Sequence, residues 1–408
     1  MKRFLNLIVF ACIIFTNQVL YSQNTWNLVN TGTTTSLFSL SFPSSQTGWV
    51  VGQEGIIMKT IDGGTSWTIQ NSHVQNSLYG CFFPTTTTGW AVGWDGKILK
   101  TADGGITWTS QISGTTYYLN SAYFFSSTSG IIVGENGTIL KTVDGGDNWT
   151  PVISNTTMIL YMIDFTSPTT GIIVGQGGRI LKTTDGGNTW VIKNSGINAD
   201  LFAVHFIDPN NGWAAGDYGK IIMTADGGET WTNIPTPNTT IIGTIWFTNT
   251  NKGWAGQMDG NLLYTIDGGN NWISDLSLGS DALWTTFFTS QDTGFIAGSN
   301  GKMYKTTNGT TVTIDESKQT LQSKINISIF PNPIHTDAEI NYFLPSKSLC
   351  SLNILDVKGN QIASLINEVK ENGKHQLRFN SKEFANGIYY CELKSNNQQV
   401  IKKVIISH

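Results

Sequence analysis

The sequence predicts an all-β protein: a seven-bladed β-propeller followed by a small immunoglobulin-like β-sandwich. Three observations predict it. A Thr-x-Asp-Gly-Gly-x-x-Trp motif recurs six times at a constant interval of 41 residues. Each interval holds four short strand signals, which is the content and length of one propeller blade. The composition also fits, with 13% charged residues and 44 glycines and 14 tryptophans among 408 residues. Such a chain suits short strands and tight turns better than helices.

The motif copies run Thr60–Trp67, Thr101–Trp108, Thr142–Trp149, Thr183–Trp190, Thr224–Trp231 and Thr265–Trp272. Their aspartates are Asp62, Asp103, Asp144, Asp185, Asp226 and Asp267. A seventh, degraded copy stands one interval later at Thr306-Thr307-Asn308-Gly309. In the first repeat, Leu37–Phe42 reads as strand A and Gly48-Trp49-Val50-Val51 as strand B. Gly52-Gln53-Glu54-Gly55 is a tight link, Ile56–Thr60 is strand C and Trp67–Gln70 is strand D. The B–C links Asp95-Gly96, Asn136-Gly137, Asp259-Gly260 and Asn300-Gly301 tolerate the positive φ of type I′ turns.

Closure of the ring is legible as well. Trp26 lies 41 residues before Trp67, yet no first three strands precede it. Position 313, where a seventh motif tryptophan is due, holds Thr313. Trp26–Val29 is therefore expected to supply the outer strand of the last blade. That pairing removes sheet edges that would otherwise recruit other chains. The propeller is expected over residues 24–313.

The motif chemistry is that of a turn. A carboxylate accepts backbone N–H groups from the residues after it, and paired glycines adopt φ values that other residues resist. The tryptophan buries a large ring, worth roughly 2–3 kcal/mol by area. Six equivalent places around a ring do not make one catalytic centre, so the six aspartates are read as structural.

The termini differ from the repeats. Lys2 and Arg3 precede an apolar run, Phe4–Phe15, and then polar Tyr21-Ser22-Gln23-Asn24. That run is too short to span a bilayer and reads as a signal peptide over residues 1–22. Cys12 would leave with it. Cys81, Cys350 and Cys391 remain, which leaves open one Cys350–Cys391 bridge or three buried thiols. Residues 314–324 form a polar linker, and several short strand signals over residues 325–408 fit a small sandwich.

Composition narrows the function. The net charge of −4 offers no basic footprint for nucleic acid. Arg179 and Arg378 are the arginines left after the signal peptide, and Arg179 alone lies in the propeller. A three-arginine carboxylate clamp cannot be built, which excludes sialidase chemistry. Strands alternate in direction, so the B–C links and the aspartate turns lie on opposite faces. The acids outside the motif include Glu54, Asp95, Glu135, Asp217 and Asp259, all in B–C links. The ligand-binding candidates are therefore Glu54, Trp94, Asp95, Asp217, Tyr218 and Asp259. An aromatic ring beside carboxylates can stack on a sugar; ordinary turn chemistry explains the same residues. His73 and His205 fall in different blades, and His205 is expected in an inner strand lining the channel near Asp164. Zinc spacing, a Walker loop and a dinucleotide fingerprint are all missing, so neither a metal nor a cofactor is expected.

The motif resembles the Asp-box, or BNR, repeat. The whole 41-residue unit, over residues 24–313, resembles the propellers of photosystem II assembly and stability factors. The resemblance implies the fold and an assembly-type binding role. Members of that family hold a partner protein through a basic, arginine-containing patch. This propeller departs from them, with 11 basic and 19 acidic residues and one arginine. Pro331-Asn332-Pro333, Asp356-Val357-Lys358-Gly359, Gly387-Ile388-Tyr389 and terminal Lys402–His408 resemble the C-terminal sorting domain of the type IX secretion system. That resemblance covers residues 325–408. It implies a Gram-negative cell, export to the periplasm and passage across the outer membrane, with later removal of the domain and attachment to surface lipopolysaccharide.

The expectation is a monomeric, secreted or cell-surface propeller that acts as a non-catalytic binding or scaffold module. Its partners would be the type IX secretion machinery and an unidentified protein or glycan. The alternative is a divergent glycoside hydrolase or carbohydrate-binding propeller.

Overall fold

The computed structural model describes residues 26–309 and 325–408, apart from 358 and 397. The expected signal peptide and linker, Cys12 and Thr313 lie outside the described residues. The chain divides into two compact units, one for the repeats and one for the C-terminal segment.

Among the described residues the repeats form seven antiparallel four-stranded sheets. Blade 1 is typical, with strands A to D at Leu37–Ser41, Gly48–Gly52, Ile57–Thr60 and Thr68–Gln70. Strand A of each blade packs against strand A of both neighbours, and Leu283–Phe288 of blade 7 returns to Leu37–Ser41 of blade 1. The last blade takes its outer strand from the other end of the repeats. Asn27, Leu28 and Val29 pair with Lys305, Tyr304 and Met303 of Met303–Thr306. The ring closes as Trp26 and its spacing indicate.

Successive blades are joined by aromatic rings. A phenylalanine ends strand A or directly follows it in all seven blades: Phe42, Phe83, Phe124, Phe165, Phe206, Phe247 and Phe288. Each meets the motif tryptophan of its own blade edge to face, at 5.8–6.1 Å between centroids and 79–89° between planes. Such a pair contributes about 1 kcal/mol beyond its buried area. The other ring face is covered from the preceding blade: Trp49 stacks on Phe83 at 3.8 Å, and Trp90 on Phe124 and Trp213 on Phe247 at 3.6 Å. The seven motif indole N–H groups are buried without a protein hydrogen-bond partner. The position therefore uses the ring and not its polar handle.

The aspartate turn braces strand C to strand D. Asp62 Oδ1 accepts from the backbone N–H of Thr65 and Ser66 and from the Thr60 hydroxyl, while Ser66 Oγ donates to Oδ2 at 2.6 Å. These bonds to the charged form hold the Asp103, Asp144, Asp185 and Asp226 carboxyls down to about 2. Strand-C lysines then reach the next turn: Lys59, Lys141 and Lys305 donate to the carbonyls of Gly104, Gly186 and Gly63.

In the C-terminal unit, Asn326–Phe330, Asp337–Leu344 and Gly373–Asn380 make one sheet. Gln361–Lys370, Ser348–Leu355, Gly387–Ser395 and Gln398–Ile406 make the other. Ile327, Ile340, Leu352, Leu393 and Val404 fill the core between them. The Asn332 side chain donates to Lys403 O and accepts from Ile405 N, docking the last strand. Cys350 stands opposite Ser395, and Cys391 opposite Ile354. The register sets the two cysteines apart along adjacent strands, and all three described thiols are free and buried. The question of a bridge resolves to buried thiols.

Trp26→Ala removes the seventh tryptophan–phenylalanine contact at the point where the ring closes. It should cost about 3 kcal/mol in urea unfolding. The double variant with Phe288→Ala should lose less than the sum of the two single losses, because both delete one contact.

Candidate functional site

Every blade carries the same irregularity on strand A. Leu37 pairs with Gly52 but Ser39 pairs with Val51, so Phe38 is an extra, bulged residue. The bulge recurs at Tyr79, Asn120, Tyr161, Phe202, Gly243 and Trp284. Bulges re-aim a side chain out of the ladder. Because Leu37 lies opposite the residue that enters the B–C link, all seven bulges stand at the B–C end of the inner strands. Five of the seven are aromatic. Phe38 lies 5.7 Å from Tyr79 and 5.9 Å from Trp284. Tyr79 continues to Tyr118 at 6.1 Å, and Tyr118 to Trp94 at 5.2 Å. Tyr161 and Phe202 form a second pair at 4.9 Å. The result is a crescent of rings around one mouth of the channel.

The B–C links frame this mouth. Gln53–Gly55, Trp94–Gly96, Glu135–Gly137, Gln176–Gly178, Asp217–Gly219 and Ser299–Gly301 are single turns whose middle residue has positive φ. The closing glycine is required by space as well as by φ: a Cβ on Gly96 would lie 1.9 Å from Thr115 O. Blade 6 departs from the expected type I′ geometry. Gly260 takes the positive φ, Asp259 does not, and Gly260 N donates to Gln257 O. That is a type I turn closed by a left-handed glycine.

The candidate residues fall into three groups. Glu54 and Asp95 are exposed on blades 1 and 2. Asp259 is occupied locally, accepting from Asn261 N, Asn261 Nδ2 and Thr240 Oγ1. Trp94 joins the crescent and is 48% exposed. Asp217 and Tyr218 stand on blade 5, beside residues the sequence reading missed. Asp200, in the preceding D–A link, accepts from the Tyr161 hydroxyl at 3.1 Å and from Gly177 N at 2.8 Å. Glu135 accepts from Tyr118 N. Burial, then Asp200, Asp217 and Glu135, raises the Tyr161 hydroxyl. Burial and Asp200 raise the Asp217 carboxyl. The signal that could have found the crescent is the spacing of Phe38, Tyr79, Tyr161, Phe202 and Trp284 at multiples of 41 residues.

The opposite mouth, on the Asp-box face, is built from the equivalents of Ser41. Asp164 and His205 occupy that position on adjacent blades. Asp164 accepts from Phe165 N and Phe206 N, both at 2.8 Å, and burial pushes its carboxyl up to about 7. His205 Nδ1 accepts from Phe247 N, its ring lies 4.1 Å from Trp246, and burial pushes it down to about 3. Both side chains bridge neighbouring inner strands. His205, Trp246 and Gln291 help to line a cavity of about 290 Å³ there. A larger depression of about 790 Å³, lined by Tyr117, Trp149, Met158 and Arg179, lies beside blade 3. Arg179 Nε is buried there without a hydrogen-bond partner. Among the described residues no group of three or more His, Cys, Asp or Glu side chains is placed to hold a metal ion.

Asp164 gives a pH test. Its carboxyl sits above the ordinary value near 4 in the folded state. The folded chain therefore binds the proton more tightly, and stability should fall as pH rises from about 4 to 7. Asp164→Ser, which installs the residue of blade 1, should flatten that stretch of the melting-temperature profile. An unchanged slope would place its origin elsewhere.

Comparisons with known proteins bear on both units. Residues 18–79, 67–157 and 151–240 match the family described as photosynthesis system II assembly factor YCF48. Residues 328–407 match the secretion system C-terminal sorting domain. No curated protein matches the sequence significantly. Among solved structures, one described as YCF48 bound to a D1 peptide is 23% identical, with a TM-score of 0.62 over 70% of this chain and 98% of that one. YCF48 from Cyanidioschyzon merolae is 20% identical, with a TM-score of 0.61 over 69% and 98%. PorZ, described as an essential bacterial surface component of the type IX secretion system of Porphyromonas gingivalis, is 12% identical. Its TM-score is 0.53, covering 90% of this chain and 59% of PorZ. At these identities the structural likenesses speak for the fold alone.

Proposed function

Because the chain belongs to the family of the photosynthesis system II assembly factor YCF48, whose matched segments cover more than half of it, we propose that its propeller is a non-catalytic binding or scaffold module. The observation that carries this reading is the crescent of rings at the B–C mouth. It is a contact surface, assembled from the bulge position of five blades together with Tyr118 and Trp94, and it contains no arginine clamp. A family member is described as bound to a D1 peptide. What we carry over is the holding of a partner segment, not that partner.

The sorting domain at residues 328–407 supports delivery outside the cell. In this reading the N-terminal segment directs export to the periplasm. The C-terminal unit then engages the type IX machinery, and the propeller reaches the surface or the medium.

One observation favours a second reading. Asp217 is raised beside Asp200, and two carboxyl groups in unlike environments are the pattern of a general acid with its partner. That reading makes the protein a divergent glycoside hydrolase.

One secretion and activity experiment addresses both. Deleting residues 325–408 should leave a folded propeller in the periplasm; its appearance in the medium would refute the sorting role. The full chain should hydrolyse no glycan above background. Hydrolysis abolished by Asp217→Asn would replace the scaffold reading with the enzymatic one.

A further inference from the structure

We propose that the B–C mouth docks a partner segment that presents lysine or arginine side chains to the aromatic crescent. This deepens the binding reading above and rests on it.

The first support is exposed ring surface. Trp94, Trp284 and Tyr218 are 48%, 38% and 67% exposed on this face. Trp94 and Trp284 end a continuous series of ring contacts through Phe38, Tyr79 and Tyr118. Large side chains left in water at one mouth mark an interaction surface. The second support is charge. Asp200 accepts from the Tyr161 hydroxyl, Glu135 and Asp217 stand in the B–C links of the two blades that flank it, and none of the three forms an ion pair with a described residue. Ring faces and carboxylates attract the same ligand, because a cation over an aromatic face gains about 0.5–2 kcal/mol. A neutral sugar could stack on the rings and donate hydroxyls to a carboxylate, but three like charges add no net attraction for it as they do for a cation, and an acidic segment would be repelled. Third, Tyr218 holds φ 55° where blade 4 places Gly177. A bulky residue kept in a left-handed position and pointed at solvent is strained, and the fold gains no burial from it.

The test uses the full chain and a fluorescent lysine–glycine peptide in anisotropy titrations, with its glutamate–glycine counterpart and a neutral cello-oligosaccharide alongside. The lysine peptide should bind and weaken as salt rises, and the glutamate peptide should not bind. Glu135→Gln with Asp217→Asn, and separately Trp284→Ala, should each weaken binding about tenfold, as expected for losing about 1.4 kcal/mol. Tyr218→Gly should also weaken binding while the melting temperature holds or rises, since glycine relieves the backbone. That variant separates a contact from a folding defect. Three results would overturn the proposal: lysine-peptide affinity unmoved by the mouth variants, equal affinity for the glutamate peptide, or binding of the oligosaccharide alone. Failure here with surface delivery intact and no hydrolysis would leave the scaffold reading standing without this ligand.

Discussion

The structure depends on one joint repeated seven times. A phenylalanine at the end of strand A meets the tryptophan of its own blade edge to face, and its other side packs against strand B of the blade before. The joint sets the angle between blades, because flat rings packed on both faces leave little freedom to rotate. Seven equal angles close a circle only if the last blade is complete. Asn27–Val29 completes it, across the longest sequence separation in the ring. The closing strand is therefore a condition of the repeat and not an ornament on it.

Regularity of this kind separates structure from function. On the Asp-box face each motif carboxylate is engaged by its own turn, and Lys59, Lys141 and Lys305 each reach the following turn. The B–C face shares the same frame but leaves most of its variable positions partly exposed. The bulge on strand A is the device that makes the difference. It is fixed by register in all seven blades, yet its side chain runs from Gly243 to Trp284. A propeller can vary those residues without disturbing the joint, which lies at the other end of the strand.

The fold was legible in the sequence because its signals are periodic and local. The Asp-Gly-Gly turn, the 41-residue step and the displaced Trp26 needed only counting. The phenylalanine ring was equally periodic but lay inside an apolar run, where one more hydrophobic residue carries no contrast. The candidate site was legible only in part. Trp94, Asp217 and Tyr218 stood out because they differ from their counterparts in other links. Asp200 and Tyr161 did not, since they lie far apart in sequence and meet only when neighbouring blades are set side by side. Asp259 shows the opposite error: a link carboxylate that looked available is engaged by its own turn. The expected type I′ turn also failed there, because Gly260 alone takes the left-handed position.

The central claim is that partners meet the propeller at the B–C mouth. Hydrogen–deuterium exchange of the full chain, with and without the lysine–glycine peptide, tests it most directly, since docking slows exchange where backbone becomes covered or held. The account predicts added protection around residues 36–38, 77–79, 117–118 and 217–218, with the Asp-box turns unchanged. Protection at the Asp-box turns, and none at the mouth, would contradict it.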